Sequence, residues 1–125
     1  MCFEVEGAEI ARRFLERHGM APAEADRAAI AIILHMQPDV TLSDGVESVL
    51  LDRATAVDVR GVDLGSIARV RARVVRDYPR RSFDRLFMRA ISREAAARPT
   101  CQSAAFVRRA HGSRWPDRTP WSEVS

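Results

Sequence analysis

The chain has 125 residues, 46% of them hydrophobic and 30% charged. This is enough apolar material for one globular domain, too short for two ordinary ones, and unlike a disordered tail. The formal net charge of +3 hides a polarity: 6 Arg face 12 acids through Ala68 (net −6), and 14 Arg face 5 acids from Arg69 onward (net +9).

The N-terminal run Met1-Cys2-Phe3-Glu4-Val5-Glu6 has acids where an export signal needs a basic region. No apolar stretch approaches the roughly 18 residues of a membrane-spanning helix. The expected location is cytoplasmic, with no membrane partner. Cys2 and Cys101 lie far apart without CxxC spacing, so the reducing compartment predicts two free thiols rather than a disulfide. Glu4 and Glu6 stand where a first helix begins, and acids there complement the helix dipole.

Apolar residues recur every three or four positions through most of the chain, while alternation with period two is almost absent. The expected class is all-α, a bundle of about five or six helices. The first helix is predicted from about Val5 to His18, with Ile10, Phe14 and Leu15 facing inward and Gly19 as its left-handed stop. Pro22 suits the first turn of a second helix reaching about Met36 before Pro38. Within it, the run from Ala28 to Met36 is apolar all round except for His35, the mark of a central helix.

After a loop from Gln37 to Ser43, Asp44 and Glu47 have the spacing of a reciprocal capping box, which predicts a third helix ending at Gly61. Val62 to Gly65 forms a connection, and Ser66 caps a fourth helix that ends near Tyr78-Pro79. Ser82 opens a fifth, to about Arg98, and Thr100 a sixth, to about Ala110. The division expected is a helical domain over residues 1–111 and an irregular tail over 112–125, docked through Trp115 and Trp121.

His35 needs a hydrogen-bond partner, a metal or a water, and a satisfied core histidine fits its position better than a ligand does. Projected at 100° per residue, Asp58 lies on the inner margin of the third helix and Asp52 on its polar side. A carboxylate at Asp58 is either a metal ligand or a structural acceptor for Arg or backbone N–H groups, and both readings stay open. His18 and His111 have no partner at ligand spacing.

All 20 basic residues are Arg, a bias that GC-rich coding explains. Arg69, Arg73, Arg76 and Arg80, then Arg85, Arg89 and Arg93, form stripes at helical spacing. No stacking aromatics are expected among them, and no DNA-binding motif accompanies them. They read as solvated faces, and nucleic acid is not an expected partner. The phosphate-loop, dinucleotide, serine-hydrolase and zinc-protease signatures are missing.

Three segments in order, Phe3-Glu4-Val5-Glu6-Gly7-Ala8, Ala31-Ile32-Ile33-Leu34-His35 and Ala56-Val57-Asp58-Val59-Arg60-Gly61-Val62-Asp63, resemble the later part of HD-domain metal-dependent phosphohydrolases, in their cyanamide-hydratase-like branch. The resemblance implies a protein derived from a metal-dependent hydrolase or hydratase acting on a small molecule or phosphoester. It makes Asp58 a metal ligand, with His35 and Glu4 as catalytic residues lining the pocket, and a divalent zinc, iron or manganese ion as cofactor. In that family a ligand His and the His-Asp dyad precede the first segment. No HD dipeptide occurs among these residues, so the expected metal site is incomplete and the chain corresponds to the C-terminal part of such a domain. The alternative is a non-catalytic helical interaction module that forms a homodimer or pairs with another subunit, since exposed apolar area predicts association.

Overall fold

The computed structural model describes residues 1–61, 65 and 67–112. The cap assigned to Ser66 and the docking of Trp115 and Trp121 fall outside these residues. The all-α expectation holds among them: the helices are α1 (Phe3–Arg17), α2 (Pro22–Leu34), α3 (Val46–Thr55), α4 (Ala68–Asp77), α5 (Phe83–Ala97) and α6 (Gln102–Gly112).

Local chemistry sets the boundaries. Cys2 is the N-cap of α1, and its carbonyl accepts the N–H groups of Val5 and Glu6 at 3.1 and 3.0 Å, so α1 begins two residues before its predicted start. Gly19, at φ 89°, follows its end. Pro22 opens α2, and His35 rather than Met36 closes it. The box expected at the start of the third helix is displaced by one short turn. Asp44 instead closes a 3-10 turn over Leu42–Asp44, accepting the Thr41 N–H at 2.9 Å. Gly45, at φ 96°, then serves as the N-cap of α3, a conformation that favours glycine.

Beyond Thr55 the helix widens into a π turn over Ala56–Arg60, closed by left-handed Gly61 at φ 71°. A π turn advances less per residue than an α-helix, so a projection at constant 100° fails there. Asp58, expected on the inner margin, is exposed, and Asp52, expected in solvent, is half-buried.

α2 packs against both α1 and α3, while α5 and α6 form another pair; contrary to its all-apolar run, α2 is not covered all round, since Ile30 is 48% exposed. Its buried residues are Ala25, Ala29 and Ala31. Across the described residues, small side chains fill the interior: Ala8, Ala56, Ala104 and Ala110 are buried, and the largest fully buried side chains are those of Ser48 and Ser103. Ser48 satisfies its hydroxyl by donating to the Asp44 carbonyl at 2.8 Å. Val75 of α4 packs with Val57 and Ile67 in a local cluster.

On α1 the stripe that turns inward is not the one carrying the largest apolar side chains. Glu4 and Ala8 are buried, with Ala11 and Leu15 half-buried on the same stripe. Ile10 and Phe14, expected inside, remain 62% and 51% exposed.

Ion pairs fix the outer surfaces. Arg27 of α2 donates to Glu47 of α3 at 3.0 Å; the Glu47 backbone N–H and Arg27 together hold that carboxyl below its ordinary range. On α1, Glu9 accepts from Arg12 at 2.9 Å and Arg13 at 2.6 Å. Those bonds lower its pKa to about 2.

Two outcomes follow from this packing. Ala25 is wholly buried on α2, so Ala25→Leu overfills a close-packed contact and lowers the unfolding free energy by about 1–3 kcal/mol in urea titrations. Glu9 has a folded pKa depressed from 4.5 to about 2, so its contribution is complete above the higher value and disappears as pH falls through the lower one. Acid titration of helicity should therefore be shallower over that window in Glu9→Gln than in the wild type, with the difference shrinking in molar salt.

Candidate functional site

The three residues assigned to a site by the sequence stand in three different settings. His35 sits at the C-terminal cap of α2, half-buried. Its Nδ1–H donates to the Ile32 carbonyl, because a carbonyl can only accept. This fixes the tautomer and leaves Nε2 as the ring's acceptor or ligand atom.

Asp58 lies at the π turn, its side chain 55% exposed. Arg80 clasps it from the loop between α4 and α5: Nη1 donates to Oδ1 and Nη2 to the Asp58 carbonyl, each at 2.6 Å. The guanidinium also lies 4.0 Å from the centroid of the Phe83 ring, a cation–π contact. Arg80 is therefore half-buried and structural, unlike Arg69, Arg73, Arg76, Arg85, Arg89 and Arg93, which are exposed. Of the two roles open to Asp58, the acceptor role is the one its neighbours display.

Glu4 is buried, at 3% exposure. It enters the interior because α1 turns the stripe holding Glu4 and Ala8 inward. Its Oε1 accepts the backbone N–H of Gln102, the first residue of α6, at 3.2 Å. Its Oε2 is buried without a hydrogen-bond partner. A carboxylate at a helix N-terminus meets the positive end of the dipole, but an orphaned buried oxygen is costly to maintain.

Beside Glu4 stands the largest departure from expectation. Cys2 and Cys101 are joined in a disulfide, with Cα atoms 5.5 Å apart across 99 positions of sequence; the expected free thiols are not there. Each cysteine immediately precedes a helix, Cys2 before α1 and Cys101 before α6. The Cys101 carbonyl accepts the Ala104 N–H at 3.0 Å, as an N-cap does. Two helix starts thus meet at one cystine, with the Glu4 carboxylate alongside.

Among the described residues, one group of three could offer metal ligands together: Cys2, Glu4 and Cys101, whose ligand atoms all lie within 4.8 Å of one another. His35 and Asp58 belong to no such group. Of the three residues assigned to a site from sequence, Glu4 alone is drawn into a cluster, and its companions are the two cysteines expected to be free thiols. The available signal was that each cysteine sits at a helix start. The pairing of those starts is not readable from spacing.

No family model, curated protein or solved structure matches the chain.

The cross-link closes a loop of about 100 residues, for which loss of chain entropy in the unfolded state favours folding by about 3–5 kcal/mol. Urea unfolding of the oxidised protein and of Cys101→Ser should differ by that amount. Coincident midpoints would remove the bond from the determinants of stability.

Proposed function

We propose that the chain is a non-catalytic helical interaction module that pairs with a second copy of itself through α1. The observation carrying this reading is an exposed apolar seam on a helix whose adjacent stripe is already buried. Phe3, Gly7, Ile10 and Phe14 recur at alternating spacings of four and three, the pattern of a coiled-coil contact. Phe3, Ile10 and Phe14 are 37%, 62% and 51% exposed, and a Cβ added at Gly7 would meet nothing within 4 Å.

The seam suits its own copy in particular. In an antiparallel two-fold arrangement, Ile10 of one chain enters the recess over Gly7 of the other, and Phe3 lies against the partner's Phe14. Glu6 and Arg13 share one flank of the seam, both exposed, so the same two-fold sets Glu6 beside the partner's Arg13. A shallow depression lined by Ile10, Arg13, Glu16 and Arg17 adjoins that flank. The area buried is on the order of a few hundred Å² per copy, at the small end of specific interfaces, so association depends on concentration.

The other reading, a protein derived from HD-domain metal-dependent hydrolases or hydratases, draws on the order of three sequence segments. It needs His35, Asp58 and Glu4 to serve one metal-activated water. Asp58 is engaged by Arg80, His35 is oriented by its own helix and Glu4 by α6. The interaction module makes no such demand and is the better supported.

Sedimentation equilibrium over a range of protein concentrations is the test. Wild type is expected to dimerise, Ile10→Glu to remain monomeric with its helicity intact, and Arg13→Glu to associate more weakly. The double charge exchange Glu6→Arg with Arg13→Glu is expected to restore part of the loss. A wild type that stays monomeric at the highest concentration overturns the proposal.

A further inference from the structure

We propose that Cys2, Glu4 and Cys101 form a redox-gated site for a thiophilic divalent cation of the zinc type: the disulfide is its closed state and the dithiol its binding state.

Three observations converge on this cluster. The two sulfurs and the Glu4 carboxylate lie within 4.8 Å of one another. Tetrahedral zinc takes sulfur at about 2.3 Å and carboxylate oxygen at about 2.0–2.2 Å, so its ligands sit roughly 3.5–4 Å apart. Opening the disulfide requires the sulfurs to separate by only an ångström or two. Second, Glu4 is almost wholly buried and its Oε2 has no partner, while Oε1 is held by the Gln102 N–H. One oxygen thus anchors the carboxylate and the other is left over, as a ligand requires. Third, both cysteines sit at the starts of long helices, α1 and α6. Two thiolates and one carboxylate around a divalent ion carry a net charge of −1, and two helix N-termini supply about +0.5 each.

A dithiol reductant balances the chemistry. Its first thiolate attacks one sulfur of the cystine, breaking the Cys2–Cys101 bond, and its second resolves the mixed disulfide. Two electrons pass to the cysteines, the reductant becomes a disulfide, and its two protons end on the Cys2 and Cys101 sulfurs. Zinc binding then releases both protons to solvent. Three protein ligands leave a fourth position for water. Oxidation reverses the sequence and expels the ion, because a cystine sulfur is no longer an anionic ligand.

The site differs from the one implied by the HD-domain resemblance, which would use Asp58, and it stands independently of self-pairing through α1. Oxidised protein and protein reduced with a water-soluble phosphine, then desalted without oxygen, are to be titrated with zinc against a chromogenic chelator. The reduced wild type is expected to bind one zinc per chain and the oxidised form none. Cobalt in place of zinc should show thiolate-to-metal charge-transfer absorption. Glu4→Gln, which keeps both thiolates, is expected to bind zinc at least about tenfold more weakly; Cys2→Ser and Cys101→Ser should lose the charge-transfer signal of the pair. Circular dichroism melts of the reduced protein with and without zinc cover the case in which reduction loosens the fold, since zinc should raise the melting temperature of wild type and not of the cysteine variants. Binding by reduced wild type no tighter than by Cys101→Ser, or equal affinity in Glu4→Gln and wild type, would overturn the three-ligand site.

Discussion

The cystine between Cys2 and Cys101 is the contact on which the arrangement of the other parts depends. It joins the first residue before α1 to the last residue before α6 and so fastens the C-terminal helix pair to the N-terminal layer. Among the polar ties that add to it are Glu4 to the Gln102 N–H and Arg109 to the Met36 carbonyl at 2.7 Å. The second sets α6 against the end of α2, next to His35. With small side chains filling most of the interior, a covalent tie supplies restraint that a larger apolar core would otherwise give.

The use of alanine at the helix contacts explains the unusual surface. Ala8 of α1 and Ala25 and Ala29 of α2 are buried, while larger apolar residues of the same helices, Ile10, Phe14 and Ile30, are exposed. Exposed apolar pairs one turn apart occur on three helices: Ile10 with Phe14, Val46 with Leu50 and Val70 with Val74. Such surfaces are stable in solution when something covers them. On α1 the pattern of the seam, with Gly7 as recess and opposite charges on one flank, is what the proposed pairing with a second copy rests on.

The charge polarity of the chain acquires a structural use at one point. Asp58 in the acidic part and Arg80 in the Arg-rich part meet through two hydrogen bonds, and Phe83 backs the guanidinium. That clasp links the π turn after α3 to the loop between α4 and α5. The other arginines of the two stripes are exposed.

Apolar spacing, Pro22, Gly19, Gly61 and the prolines after α4 and α5 are local signals, and they specify six helices and most of their ends because helix starts and stops depend on neighbours a few residues away. Even the single polar residue in the apolar run of α2 could be read as a histidine needing an internal partner, which the Ile32 carbonyl provides. Glu4 was visible as a helix-start acid, but its burial was not, because a helix pattern with apolar residues on two adjacent stripes does not say which stripe faces the neighbour. The π turn that carries Asp58 outward shifts the helical phase without a distinctive sequence mark. The meeting of Cys2 with Cys101, and of both with Glu4, depends on how α1 and α6 are placed across 99 residues. The sequence by itself therefore determined the helices; the tertiary structure decided which faces they bury and which reactive groups they bring together, because those outcomes are set by packing between distant elements and not by any local preference.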